Sequence, residues 1–196
     1  MRKSMKIFIG FMVSVSMVFI CMGLMRGQVK AADPYDDIRT KWVNFITGGT
    51  GYSTADADII AQTVKLTNSA QSYWNSMSKN QNREYLWENL ASTSYSSHIT
   101  ASYNQLLIMT RAYCCQGSSL YHNTSLKGDI ISALDWMYIN RYNQNSVTYN
   151  NWWDWEIGTP LALTDICALL YDDLIVMGSD PILNYMNAVN EFSPDP

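Results

Sequence analysis

The sequence predicts an all-α fold. Apolar residues recur at helical spacing over most of the chain after residue 32, and three X-Pro steps sit where helices would open. Alternating apolar and polar runs, the mark of a half-buried strand, are missing.

The elements follow in order. Asp33-Pro34 reads as an N-cap followed by proline at the first helical position, where its missing N–H costs nothing. Tyr35, Ile38, Trp42 and Phe45 then mark one face, and Gly48-Gly49 stops the run. Ser53 or Thr54 is the expected cap of a longer helix with Ile60, Val64, Ala70, Trp74 and Met77 on its apolar side. A short helix is expected over Arg83 to Leu90, and another over Ile99 to Cys115 through Tyr103, Leu106, Leu107, Thr110 and Tyr113. Leu126, Ile130, Leu134, Met137 and Tyr138 mark the next. Thr159-Pro160 opens a helix through Leu163, Ile166, Leu170 and Leu174 that ends near Gly178. Asp180-Pro181 opens the last, ended before Pro194. Helices of moderate length joined by short polar links pack antiparallel.

The N-terminus has another purpose. Arg2, Lys3 and Lys6 precede an uncharged stretch from Ile7 to Met25, and "RGQVKAAD" follows. This is the layout of a secretory signal peptide over residues 1–32, which makes the protein secreted and extracellular, free of the membrane after cleavage. The length of the apolar run leaves an uncleaved membrane anchor as the alternative. Cleavage removes five of the 13 basic residues and none of the 17 acidic ones, so the remainder carries a net charge of −9. That balance argues against nucleic acid and anionic membrane surfaces as partners. Cys114, Cys115 and Cys167 are an odd set with adjacent members, which reads as small buried side chains rather than a disulfide framework. No spaced ligand set indicates a metal, and no cofactor is implied.

One joint departs from this pattern. Arg141 to Thr159 reads "RYNQNSVTYNNWWDWEIGT", rich in asparagine and aromatics. Three tryptophans within four positions either fold the segment into a core or offer flat faces to a flat ligand. A pyranose has a face of C–H bonds that an indole covers, and hydroxyls that an asparagine amide can bond. Asn151, Trp152 and Trp153 supply that pair of functions, with Trp155 the expected core member. Asp154 and Glu156 could form the two-carboxylate pair of a glycoside hydrolase, but residues two apart seldom flank a substrate from opposite sides. They are read as partners of the local backbone and of the next helix N-terminus. His98 and His122 lie in polar joints and are read as capping or solvated groups.

Four stretches carry a family resemblance: "KWVNFITGG", "LYHNTSLKGDIISALDWMYINRY", "NWWDWEIGTPLALTDICALLYDDL" and "YMNAVNEFSPDP". Together they resemble the N-terminal helical domain of family 8 polysaccharide lyases, which include hyaluronate, chondroitin AC and xanthan lyases. The pattern NWW-x-x-x-IG-x-P is the specific marker, and the likeness spans residues 33–196. It implies an incomplete (α/α) toroid of antiparallel helix pairs and an anionic, uronic-acid-containing polysaccharide as partner. The implied chemistry is β-elimination, with an Asn neutralising the uronate and a Tyr–His pair moving the protons. Asn151, Trp152 and Trp153 match the family's substrate-binding aromatic patch. The catalytic Asn, His and Tyr have no counterpart here and are expected C-terminal to the last matching stretch. The chain is thus expected to hold a truncated toroid that binds without cleaving. The alternative is a non-catalytic carbohydrate-binding helical module.

Overall fold

The computed structural model describes residues 34–175 and 180–194. The expected signal peptide therefore lies outside the described residues. All packing discussed below belongs to the unit that begins at Asp37.

Every regular element among the described residues is helical. Helix α1 (Asp36–Thr47) starts two residues later than its Asp-Pro signal predicts, with Pro34 and Tyr35 in a turn. Its predicted inner face is not inner: Ile38, Trp42 and Phe45 are exposed, and no residue of α1 is buried. Trp42 is held from outside the helix, its Nε1 donating to Asp165 Oδ1 at 2.8 Å while its ring stacks on Phe45. Gly48 and Gly49, at φ of 83° and 69°, end α1 as expected, in a region where a β-carbon is strained.

Helix α2 (Ala57–Ser76) is capped by Asp56, not by Ser53 or Thr54. Asp56 Oδ1 accepts from the N–H groups of Asp58 and Ile59, satisfying two otherwise unpaired donors. The buried stripe keeps the predicted Ala70, Trp74 and Met77 and departs from the prediction in the first turns. Ile60 and Val64 are 45% and 50% exposed, while Thr63, Leu66, Ala70 and Trp74 face the core or pack against it. Thr63 can be buried because its hydroxyl donates to the Ile59 carbonyl of its own helix.

The segment expected as a helix over Arg83–Leu90 contains only a 3₁₀ turn, Glu88–Leu90. Its conformation is set by cross-links instead. Trp87 is buried and donates Nε1 to the Tyr73 carbonyl, and Trp136 donates to the Arg83 carbonyl. Helix α3 (Ser97–Cys114) is the centre of the fold, packed against α2, the following helix and the C-terminal half. Its buried row runs through Ile99, Tyr103, Leu106, Met109 and Tyr113. Helix α4 (Thr124–Asn140) is capped by Asn123, whose side chain accepts from the Leu126 N–H. It buries Leu126, Ile130, Leu134 and Met137 as predicted. Trp74 of α2 donates to Asp129 of α4 at 2.7 Å, tying the two together.

The C-terminal half comprises α5 (Thr159–Leu169), α6 (Tyr171–Ile175) and α7 (Pro181–Phe192). Asp180 caps α7 with Pro181 in its first turn, in agreement with the sequence reading. Tyr185 of α7 donates to Asp135 of α4 at 2.8 Å. Cys114 and Cys115, at the end of α3, and Cys167 in α5 are free. Burial pushes the Cys114 and Cys167 thiols up to about 12, so they behave as the small apolar residues expected.

Candidate functional site

The tryptophan-rich segment is not one long loop. Only its first part is irregular; the chain is helical from Trp152, through a wide π-helical turn, Asp154–Gly158, and on into α5. Such one-residue expansions of a helix recur at functional sites. Here the wide turn separates the three indoles. Trp155 is 1% exposed, whereas Trp152 and Trp153 are 61% and 44% exposed.

Trp155 anchors the turn from inside. Its Nε1 donates to the Tyr149 carbonyl at 2.9 Å, and its own carbonyl accepts the Tyr142 hydroxyl at 2.9 Å. Tyr142, Tyr149 and Phe192 surround the ring at centroid separations of 5.8, 5.2 and 5.1 Å. Core packing, one of the two roles open for these residues, therefore holds for Trp155 and not for its neighbours.

The approach to the turn is locked by one hydroxyl. Asn150 sits at φ 63°, a left-handed conformation that asparagine tolerates better than most side chains. Ser96, fully buried at the start of α3, accepts from the Asn151 N–H at 3.0 Å, and its hydroxyl lies 2.7 Å from Asp154 Oδ2. Asn151 caps the new helix: its Oδ1 accepts from the Trp153 N–H at 3.2 Å, and its backbone carbonyl accepts from Asp154. The Nδ2 donors of Asn151 make no hydrogen bond among the described residues, and the side chain is exposed.

Asp154 is a structural carboxylate. It is 4% exposed, and its two oxygens accept from Ser96 and from Thr100, the latter at 2.9 Å. Its position in the first turn of a helix favours the negative charge. Glu156, by contrast, is exposed. A sealed carboxylate and an exposed one do not flank a substrate, in keeping with the local role read for Asp154 from the sequence. His98, in the first turn of α3, accepts from the Ser92 N–H of the preceding link through Nδ1. His122 is exposed, its ring stacked on Tyr113 and tilted against Tyr121.

Trp153 is positioned by an absence of side chain. Its ring covers Gly158 so closely that a β-carbon there would lie 2.4 Å from Cζ3. The result is two exposed indoles and one exposed amide on consecutive residues, held from behind by Trp155, Asp154 and Ser96. Tyr95 adds an exposed ring one residue from Ser96, which the polar run "TSYSSH" gave no reason to single out. A cavity of about 490 Å³ lies elsewhere, between α2 and α3, and none of the tryptophans lines it.

A model of the polysaccharide lyase family 8 N-terminal α-helical domain matches residues 42–196. The xanthan lyase of Bacillus sp. (strain GL1) is 38% identical over 186 residues, covering 94% of this chain and 20% of that protein. The hyaluronate lyase HylB of Enterococcus faecalis is 28% identical over 168 residues, 86% of this chain and 16% of that protein. The crystal structure of Paenibacillus xanthan lyase superposes with a TM-score of 0.78 at 43% identity, over 82% of this chain and 15% of that one. The Streptomyces coelicolor A3 chondroitin AC lyase, solved in complex with chondroitin sulphate, gives a TM-score of 0.74 at 33% identity, over 83% and 21%. The chain thus spans about a fifth or less of the length of these relatives.

Proposed function

This chain belongs to polysaccharide lyase family 8 through its N-terminal α-helical domain, and on that premise we propose that it supplies the substrate-holding surface of a secreted polysaccharide lyase. Its fold is the incomplete toroid of antiparallel helix pairs expected for that domain. Asn151, Trp152 and Trp153 hold a uronic-acid-containing polysaccharide of the xanthan, hyaluronan or chondroitin type. The exposure of Trp152 and Trp153 beside a buried Trp155 is the observation that carries this reading.

The physical argument is one of preorganisation. A large exposed aromatic pair is costly in water unless something covers it. Indole faces gain dispersion contact with the C–H face of a sugar, and the unused Asn151 amide can donate to a ring oxygen or hydroxyl at its edge. Both rings start on a helix whose first turn is pinned by Ser96, so little freedom is lost on binding. In this reading residues 1–32 are a signal peptide that directs export. No described helix is long and apolar enough to cross a membrane.

The patch orients sugar rings; it does not move protons. β-Elimination needs a group that neutralises the uronate, a base beside the acidic C–H and an acid for the leaving oxygen. Tryptophan offers none of these, and Asp154 is committed to two hydroxyls. The reading therefore assigns the elimination to the catalytic Asn, His and Tyr of the family, outside this chain.

Affinity electrophoresis tests the proposal. The chain should be retarded in gels containing hyaluronan, chondroitin sulphate or xanthan, and should release no unsaturated, ultraviolet-absorbing product from any of them. Migration unaffected by all three polysaccharides would refute the substrate-holding role. Release of unsaturated product would refute the assignment of chemistry to other residues.

A further inference from the structure

The cavity of about 490 Å³ between α2, α3 and the link after α1 is unrelated to the tryptophan patch. Its size falls in the range of small-molecule sites, roughly 300–1,000 Å³. Leu66 and Ile108 line its body, Tyr52 and Cys115 one wall, and Lys65 and Arg111 its solvent edge.

The wall is fixed. The Tyr52 hydroxyl donates to the Gln116 carbonyl at 2.6 Å, and the Cys115 thiol reaches the Thr47 carbonyl at 3.6 Å. The Tyr52 ring lies against Gly48, where a β-carbon would stand 3.1 Å from Cε1, and Gly48 itself is at φ 83°. The glycine that ends α1 thus also makes room for the ring that bounds the cavity.

The two cations at the edge are uncommitted. Neither Lys65 nor Arg111 takes part in the ion pairs Lys79–Asp129 and Lys127–Asp173. Arg111 makes one weak bond, from Nη2 to the Ile46 carbonyl at 3.3 Å, which leaves most of its planar fork unused. In a chain of net charge −4, two unpaired cations at the mouth of one largely apolar cavity select an anion with an apolar body.

We propose that this cavity binds a small amphiphilic carboxylate, an aryl or medium-chain alkyl acid, with its body over Leu66 and Ile108 and its carboxylate on the Arg111 fork. Lys65 adds a second, point-like attraction.

Calorimetric titration of the whole chain with octanoate and with 1-octanol is the test. Octanoate should bind at least about tenfold more tightly, the factor one charge-assisted hydrogen bond supplies. Arg111→Gln should abolish that preference while leaving 1-octanol binding in place. Lys65→Gln, an exposed change that leaves the fold intact whatever Arg111 does, should reduce it. Equal affinity for the two probes, binding of neither, or a preference that survives Arg111→Gln and Lys65→Gln would overturn the proposal.

Discussion

Gly158 lies beneath the indole of Trp153, and a β-carbon at Gly158 would come within 2.4 Å of Cζ3 and 2.9 Å of Thr100 Cγ2. Gly158 has an ordinary helical backbone, φ −65°, so glycine is needed for close approach and not for conformation. Gly158→Ala should gain about 1 kcal/mol of helix propensity and lose about 1–3 kcal/mol to overpacking. We expect no gain in Tm and a displaced Trp153 ring, read as a changed indole emission spectrum and weaker polysaccharide binding.

Asp154→Ala removes the acceptor of two hydroxyls, those of Ser96 and Thr100, in a site closed to water. Both hydroxyls keep longer alternatives, Ser96 at Asn150 Oδ1 (3.2 Å) and Thr100 at Thr159 Oγ1 (3.1 Å), so the loss of the two charge-assisted bonds is expected to cost about 1–3 kcal/mol in all. Glu156→Ala, at an exposed position, should stay within about 0.5 kcal/mol of the parent. Urea unfolding of the two variants separates them, and equal midpoints would contradict the structural role of Asp154.

Alkaline pH should destabilise the fold through its buried thiols and phenols. Burial first, and then the neighbouring Asp173 charge, raises Cys114 from 9.0 to about 12; burial does the same for Cys167. Tyr52 rises from 10.0 to about 12, by burial and then by its hydrogen bond to Cys115. Tyr103, Tyr142 and Tyr185 move in the same direction through burial. Because the folded values are raised, the unfolded chain releases protons first. The contribution of the two thiols is complete below about pH 9 and is lost between about pH 9 and about pH 12, and that of the phenols is lost from about pH 10 upward. The urea midpoint should fall across that window, and Cys167 should resist thiol reagents at pH 8 until the chain is unfolded.

Salt should not weaken polysaccharide binding. The chain and its proposed ligand are both negative, and the contacts proposed are indole faces and a neutral amide. Between about 0.1 and about 1 M salt the screening length drops from about 10 to about 3 Å, which removes repulsion rather than attraction. Affinity measured over that range should hold or rise; a steep loss would point to a cationic site instead.

How much of this was legible in the sequence depends on where the deciding contact lies. The Asp180-Pro181 start, the α3 and α4 stripes and the inward Trp155 are local features, and the structure bears them out. The inward face of α2 departs from the sequence reading only in its first turns, where Thr63, not Ile60 and Val64, is buried; Ala70 and Met77 are buried as expected. A threonine that satisfies its own hydroxyl carries no polar penalty, and a pattern of apolar letters does not register it. The helical character of the segment from Trp152 was hidden for a similar reason. Its asparagines and tryptophans look like a loop, while the bonds that wind it come from Ser96 and Thr100, more than fifty positions away. The motif itself was legible: Asn151, Trp152 and Trp153 could be named, but their exposure could not, since it depends on Gly158 and on the cluster around Trp155.

The most direct measurement is calorimetric titration of hyaluronan, chondroitin sulphate and xanthan oligosaccharides into the parent chain and into Trp152→Ala, Trp153→Ala, the double variant and Trp155→Ala. Each exposed ring should contribute about 0.5–1.5 kcal/mol, a loss of roughly twofold to tenfold per single variant, with Tm almost unchanged. Trp155→Ala should instead cost about 3–5 kcal/mol of stability. Undiminished binding by a folded Trp152→Ala/Trp153→Ala chain would contradict the account.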